Sequence, residues 1–151
     1  MQFVDILAAA AREYGLSLAE PQLKSFDNYN TLLLHWNEKI NLTAITDPRE
    51  VAVKHMVDSL SCYDDTVFLQ ECKVVDVGTG AGFPGLPLKI IRPDLKLTLL
   101  DSLNKRVVFL QAVADNLGLS DVSFLHARAE EAGQDPKHRE QYQIALSRAV
   151  A

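Results

Sequence analysis

A glycine-rich loop follows a short apolar run in the middle of the chain and carries the residues best suited to binding a cofactor. The run Val74–Val77 predicts a strand, and four glycines stand within the next eight residues, at Gly78, Gly80, Gly82 and Gly85. Glycine permits a positive φ and lets a ligand approach the main chain without a Cβ in the way. Because the carboxyl end of a first strand borders the usual ligand crevice of an open α/β sheet, the loop predicts a cofactor site.

The residues around these glycines distinguish between two classes of cofactor. The last three glycines satisfy the G-x-G-x-x-G pattern of dinucleotide-binding loops, so an NAD- or flavin-dependent oxidoreductase is one candidate. Asp76, two positions before Gly78, instead gives the D-x-G-x-G form typical of methyltransferases, and its carboxylate suits the ammonium group of S-adenosyl-L-methionine or a nearby water. Pro84 also removes a backbone N–H that a pyrophosphate would need. The loop therefore favours S-adenosyl-L-methionine.

Two further positions at strand ends are candidates for cofactor contact. Asp101 ends the second apolar run, 19 residues beyond Gly82, where a carboxylate accepts the ribose hydroxyls of either cofactor class. Its alternative role is to cap the following helix beside Ser102. The segment Arg128–Glu130 follows the third apolar run, where a methyltransferase contacts adenine, and a plain surface turn is the alternative.

The patterning divides the chain into two parts, residues 1–65 and residues 66–151. The first part is predicted to be a helical extension packed on the core, with a helix that stops at Gly15 and another that begins with Asp47 as N-cap and turns Val53 inward. The intervening helix starts either with a capping box at Ser17 or with Pro21 in its first turn.

From about residue 73 short apolar strands alternate with helices, which predicts βαβ units in a parallel sheet with helices on both faces, a Rossmann-like α/β fold. The predicted strands are Val74–Val77, Leu97–Leu100, Val122–Leu125 and Ile144–Leu146. A helix with Leu103 as its first apolar position and Gly118 after its end lies between the second and third strands. A doubly wound sheet would normally continue past Ala151, so we expect the final strands to be missing from a truncated chain.

Composition narrows the class of protein. The net charge of −5 argues against a general phosphate-binding protein and leaves only a local basic cluster for contact with RNA. No apolar run approaches the length of a membrane span, and no secretory signal is visible at the N-terminus. Cys62 and Cys72 have no metal-ligand spacing and are expected to be reduced thiols. We expect a cytoplasmic monomer that binds neither metal nor membrane.

Six segments together resemble the bacterial 16S rRNA guanine-N7 methyltransferases, also called glucose-inhibited division protein B. They run in the family's order and are Trp36–Ala44, His55–Leu60, Asp76–Leu88, Leu100–Leu110, Ala127–Glu131 and Ser147–Val150. The third is the most specific, since most class I methyltransferases lack its Phe-Pro-Gly continuation. The resemblance implies methyl transfer from S-adenosyl-L-methionine to N7 of one guanine in the decoding-region loop of 16S rRNA in the small ribosomal subunit. A fragment that keeps the cofactor fold without activity is the alternative.

The resemblance also implies roles for particular residues. Gly78 and Phe83 would line the cofactor, Ala129 and Glu130 would lie along its adenosine, and Arg148 would face the cofactor or substrate pocket. Guanine N7 carries a lone pair and no proton, so no general base is required and the enzyme must chiefly align the reactants. Arg148 is the candidate for positioning the substrate, through the O6 side of guanine or an RNA phosphate.

Other candidates for contact with the substrate lie on predicted helices or at their ends. His55 and Asp58 stand one turn apart within a matching segment, and either a substrate or interdomain role or a buried structural hydrogen bond explains the pair. Asn41 lies in another matching segment. Lys105 and Arg106 open a helix beside Asp101, where cations oppose the helix dipole, so a contact with RNA phosphate is predicted there. Lys39, Lys54 and Arg128 would complete a local basic face.

Overall fold

A four-stranded sheet forms the centre of the computed structural model, which describes residues 2–148. Its strands are β1 (Lys73–Val77), β2 (Lys96–Asp101), β3 (Val122–His126) and β4 (Ile144–Leu146). They lie in the order β3-β2-β1-β4 and every neighbouring pair is parallel. The predicted Rossmann-like α/β fold is confirmed. Since the chain passes from β3 to the opposite side of β1, the strand order reverses beside β1, where open α/β sheets bind their ligands.

Helices cover both faces of this sheet. In chain order they are α1 (Phe3–Glu13), α2 (Glu20–Ile40), α3 (Pro48–Glu50), a π-helix (Val51–Val57), α4 (Asp58–Leu60), α5 (Gly85–Ile91), α6 (Asn104–Leu117) and α7 (Ala129–Gln134). The three pieces α3, π-helix and α4 follow one another without a break. Within residues 2–148 none of these helices combines the length and apolar character needed to cross a bilayer.

Several predicted helix boundaries are confirmed by the local hydrogen bonds. Gly15 follows α1 with φ +80, and the Glu50 N–H donates to the Asp47 carboxylate over 3.2 Å, so Asp47 is the N-cap of α3. The start of α2 is resolved in favour of Pro21, which lies in the first turn. There the Ala19 N–H donates to Gln22 Oε1 over 2.8 Å, so the capping box predicted at Ser17 is wrong.

Two apolar positions assigned to predicted helices, one of them expected to face the core, are exposed. Val53 has 45% of its surface exposed to solvent, because residues 51–57 form a π-helix, whose wider turn changes which side chains share a face. Leu103 has 40% exposed, because it precedes α6 as the N-cap residue and is not part of the helix. Both predictions assumed an unbroken α-helical repeat and are wrong.

The main core joins the N-terminal helices to one face of the sheet. Phe26, Tyr29 and Leu33 of α2 are fully buried in one cluster with side chains of α5, α6 and the strands. A smaller cluster of Val75, Leu100 and Ala132 lies on the other face, under α7. The division of the chain at residue 65 stays a prediction, and the helices before it share their core with the sheet.

Candidate active site

The glycine-rich loop after β1 is fixed from below by a side chain of α2. Tyr29, which is fully buried, donates a short hydrogen bond to the carbonyl of Ala81 and stacks on the ring of Phe83 with centroids 5.4 Å apart. Gly82 has φ +103, and a Cβ there would lie 2.5 Å from the Tyr29 hydroxyl oxygen. Glycine is therefore required at Gly82 both by its conformation and by the close approach of α2.

Asp76 lies beneath the same loop and joins its two ends. Its Oδ2 atom accepts hydrogen bonds from the Thr79 hydroxyl at 2.7 Å and from the Gly85 N–H at 2.8 Å. The residue is fully buried, and within residues 2–148 its Oδ1 atom has no hydrogen-bond partner. Burial raises the pKa of Asp76 from 3.8 to about 7, despite these two donors. The carboxyl group therefore holds the loop in shape, with Oδ1 left over for any further donor.

Asp101 fixes the upper part of the loop from the end of β2. Its Oδ2 accepts from the Gly80 N–H at 2.9 Å and its Oδ1 from the Leu103 N–H at 3.0 Å. Arg106 Nη1 lies 3.6 Å from the same carboxylate. The side chain does not cap α6, whose N-cap residue is Leu103. Since each carboxylate oxygen has two lone pairs, Asp101 retains the capacity to accept ribose hydroxyls.

A first cleft, of about 430 Å³, opens where the carboxyl ends of the strands meet. Its lining includes Gly78, Asp101, Arg106, Ala129, Glu130 and Ser147. Four of the predicted cofactor-binding residues therefore lie together in this cleft: Gly78, Asp101, Ala129 and Glu130. The other predicted glycines do not line it. Gly80 instead donates its N–H to Asp101, and Gly82 faces Tyr29.

A second cleft, of about 210 Å³, adjoins the first across Gly78, which lines both. It is bounded by Leu42, His55, Thr79, Ala81, Phe83 and Arg148. The His55 ring stacks on Phe83 with centroids 4.4 Å apart and planes at 9°, and the guanidinium of Arg148 lies 5.4 Å from the centre of the same ring. Phe83 and Arg148, predicted to line the cofactor, thus lie in this second, more aromatic cleft.

The comparison with known proteins decides the family. The profile of the rRNA small subunit methyltransferase G family matches residues 22–151, which is most of the chain. The chain belongs to this family. Among curated relatives, the ribosomal RNA small subunit methyltransferase G of Alkaliphilus metalliredigens is 56% identical over 146 residues, covering 97% of the chain and 61% of the relative. That of Clostridium beijerinckii is 50% identical over 151 residues, covering 100% and 63%.

The chain therefore spans about three fifths of the length of the curated relatives it matches. A solved structure with a similar fold is a protein-L-isoaspartate O-methyltransferase of Plasmodium falciparum in complex with S-adenosyl-L-homocysteine. It superposes with a TM-score of 0.62 at 13% identity, covering 100% of this chain and 75% of that one, so the likeness concerns the fold alone. The resemblance drawn from the sequence segments is confirmed, while Ala149 and Val150 of the last segment lie outside the described residues.

Within this methyltransferase family member, the predicted pair of His55 and Asp58 is not formed. His55 is buried and its ring nitrogens contact Thr43 and Arg148, whereas Asp58 is exposed one turn later. The hydrogen-bond interpretation of His55 is therefore right about burial and wrong about the partner. The π-helix explains the difference, because its wide turn separates side chains that an α-helix would bring onto one face.

The remaining predicted substrate residues lie at the surface. Asn41 is exposed and ends α2 in the left-handed conformation with φ 48, which gives it a local structural role. Lys105 is exposed at the start of α6, while Arg106 is partly buried and lines the first cleft. Lys54 forms a surface ion pair with Glu50 at 3.3 Å.

Tyr29 and Thr43 are functional candidates that the sequence reasoning missed. Tyr29 occupies a core position of the α2 stripe between Phe26 and Leu33, and a buried tyrosine hydroxyl needs a polar partner, which was the available signal. Thr43 follows α2 in an irregular segment, and no pattern around it predicts contact with the π-helix.

Proposed function

We propose that this chain forms the cofactor-binding part of a cytoplasmic enzyme, active as a monomer, that transfers a methyl group from S-adenosyl-L-methionine to N7 of a guanine in 16S rRNA. The observation that carries the proposal is the pair of clefts that share Gly78. One is lined by the acidic and small residues suited to an adenosine, and the other by aromatic rings and an arginine suited to a base. The curated relatives are named for methylation of small-subunit ribosomal RNA.

The residues of the first cleft fit S-adenosyl-L-methionine. Asp101 offers two carboxylate oxygens to the ribose hydroxyls, and the exposed segment Ala129–Glu130 would lie along the adenine. The amino-acid end would follow the main chain at Gly78, where no Cβ narrows the passage to the second cleft. Asp76 is fully buried and lines neither cleft, so it would act on the cofactor through the loop that it holds in shape.

A dinucleotide fits the same loop poorly. The first N–H of α5, from Gly85, already donates to Asp76, and Pro84 before it has no N–H to offer. A pyrophosphate at this helix start would therefore meet a carboxyl group instead of free donors. The family match also favours the methyltransferase over the oxidoreductase.

The bound cofactor would supply an electrophilic methyl group on a sulfonium centre. This chain's residues would then align the acceptor, since guanine N7 attacks through its own lone pair and has no proton to lose. Phe83 and Leu42 would offer apolar surface to the base, and Arg148 would donate to guanine O6 and leave N7 free. Alignment of this kind contributes up to roughly 7–11 kcal/mol in well-oriented systems.

Calorimetric titration of the chain with S-adenosyl-L-homocysteine and, separately, with NAD tests the cofactor. We expect binding of the first and none of the second. Glu130→Ala should weaken that binding several-fold, whereas Glu131→Ala is a matched control, because Glu131 is also exposed but does not line the cleft. Tighter binding of NAD, or an equal effect of both substitutions, would contradict the assignment of this cleft.

The acceptor is tested by methylation of isolated small ribosomal subunits. We expect Arg148→Ala in a chain of the relatives' full length to lose methyl transfer while S-adenosyl-L-homocysteine still binds. Unchanged activity would remove Arg148 from the site. If the full-length protein methylates and the 151-residue chain only binds cofactor, the chain is a fragment with the fold but without activity.

A further inference from the structure

A chain of hydrogen bonds runs from the loop after α2, through the π-helix, to the end of β4. Arg148 Nη2 donates to His55 Nδ1 over 3.1 Å, and His55 Nε2 lies 2.8 Å from Thr43 Oγ1. A guanidinium can only donate, so Nδ1 must be the unprotonated ring nitrogen and Nε2 must carry the proton. These contacts therefore define one uncharged tautomer of His55.

The surroundings of His55 favour this uncharged form. The residue is 6% exposed, and its ring stacks on Phe83. Burial, followed by the positive charge of Arg148, lowers the pKa of His55 to about 4, while the exposed Asp58 on the same helical segment acts in the opposite direction. Near neutral pH the ring thus remains an acceptor at Nδ1. With both nitrogens engaged, it is not available as a general base.

The same contacts leave one end of the Arg148 guanidinium uncommitted. Nη2 is held by His55 and the planar group lies against Phe83, whereas Nη1 is buried and has no partner within residues 2–148. Buried donors are normally paired, so Nη1 is the group available to an acceptor atom of a molecule in the second cleft. Since the fork of a guanidinium is rigid, fixing Nη2 also fixes the direction of Nη1.

We propose that His55 is the positioning residue of Arg148, acting as a fixed uncharged acceptor that directs the Nη1 group of the arginine toward the methyl-accepting base. The identity of that base as guanine rests on the function proposed above. The device depends on the π-helix, which turns His55 toward the glycine-rich loop, and on Thr43, which holds the ring from its other nitrogen. Histidine and arginine thus come from parts of the chain 93 residues apart.

Two substitutions at His55 separate positioning from packing. His55→Asn removes the ring and its stacking on Phe83 but keeps an oxygen acceptor near the position of Nδ1. His55→Phe keeps an aromatic ring against Phe83 but has no acceptor.

The first readout is the rate at which the Arg148 guanidinium rotates about its Nε–Cζ bond. This rate is measured by ¹⁵N exchange spectroscopy on the chain itself, with Arg148→Lys to assign the signal. We expect slow rotation in the wild type and in His55→Asn, and at least tenfold faster rotation in His55→Phe.

The second readout is binding of guanosine monophosphate to the chain loaded with S-adenosyl-L-homocysteine, with the 7-deaza analogue as a probe of N7. We expect His55→Phe to weaken the binding of guanosine monophosphate at least fivefold and His55→Asn to weaken this binding less. Equal rates of guanidinium rotation in wild type and His55→Phe would overturn the positioning role. So would a loss of guanosine monophosphate binding in His55→Asn alone. If rotation follows the acceptor but the wild type binds neither nucleotide, His55 still positions Arg148 and the proposed guanine acceptor fails instead.

Discussion

Replacing Asp76 with asparagine tests how strongly burial controls the carboxyl group under the glycine-rich loop. Asparagine has the shape of the protonated acid: its oxygen can accept from Thr79 and Gly85, and its amide nitrogen takes the place of the unpaired Oδ1. Neither the protonated acid nor the amide carries a charge. The variant therefore differs from wild type chiefly in being unable to ionise.

The size of the effect follows from the pKa of Asp76. Its ordinary value of 3.8 is raised to about 7 in the folded protein, chiefly because the buried ionised form is poorly solvated. Since one pKa unit corresponds to about 1.36 kcal/mol, ionisation costs the fold about 4 kcal/mol. The sign follows from linkage: the contribution of protonated Asp76 to the free energy of unfolding is fully present below pH 3.8 and is lost as the pH rises through about 7.

Urea unfolding of wild type and Asp76→Asn, without cofactor and at intervals from pH 4 to pH 8, measures this difference, because the other titrating groups are common to both proteins. We expect similar free energies of unfolding near pH 4, and a variant more stable by several kcal/mol at pH 8. A difference that stays constant with pH would refute the reasoning. The reasoning would also be refuted if the free energy of unfolding of the wild type rose relative to that of the variant as the pH rises. That is the behaviour of a carboxylate stabilised by its donors.

Three further predictions concern the loop and its surroundings. Tyr29→Phe should lower the free energy of unfolding by about 1–3 kcal/mol in urea titrations, because the buried Ala81 carbonyl loses its donor. Gly82→Ala, with a Cβ 2.5 Å from the Tyr29 hydroxyl, should unfold at a much lower temperature than Gly78→Ala, whose Cβ meets nothing within 4 Å. Gly78→Ala should instead weaken the binding of S-adenosyl-L-homocysteine measured by calorimetry. A lower unfolding temperature for Gly78→Ala, with weaker cofactor binding in Gly82→Ala only, would contradict the assignment of the two glycines. Replacing Lys105 and Arg106 with alanine should reduce the salt dependence of binding to small ribosomal subunits by about one unit of slope or more, whereas Lys96→Ala, at the opposite end of β2, should leave it unchanged.

The sheet and the first cleft are predictable from sequence because their signals are local. Each strand is a short apolar run bounded by turn residues, and the strands alternate with helices, which leaves few topologies open. The residues after each strand then meet at one edge whatever the details of packing. This is why Gly78, Asp101, Ala129 and Glu130, each predicted from its position at or after the end of a strand, lie together in one cleft.

The second cleft is less predictable because its signals are not local. The pattern of Val53, Met56 and Val57 fits an α-helix, but the segment forms a wider π-helical turn that packs against α1. The helical pattern therefore pairs His55 with Asp58, its neighbour on an ideal helix, rather than with Arg148. Tertiary contacts between distant segments decide such positions, and a single sequence does not contain them.

The two clefts differ in which part of the chain builds them. The first is lined by residues from Val77 to Ser147, all within the predicted cofactor-binding core. The second adds Leu42 and His55 from the helical extension, and Tyr29 holds the Ala81 carbonyl that borders it. If the clefts receive cofactor and base respectively, the side chains that line the methyl donor's cleft all come from the core, whereas the extension also supplies side chains to the acceptor's cleft. The helices before residue 65 are then part of the active site, since the arginine that would meet the base is held by one of their side chains.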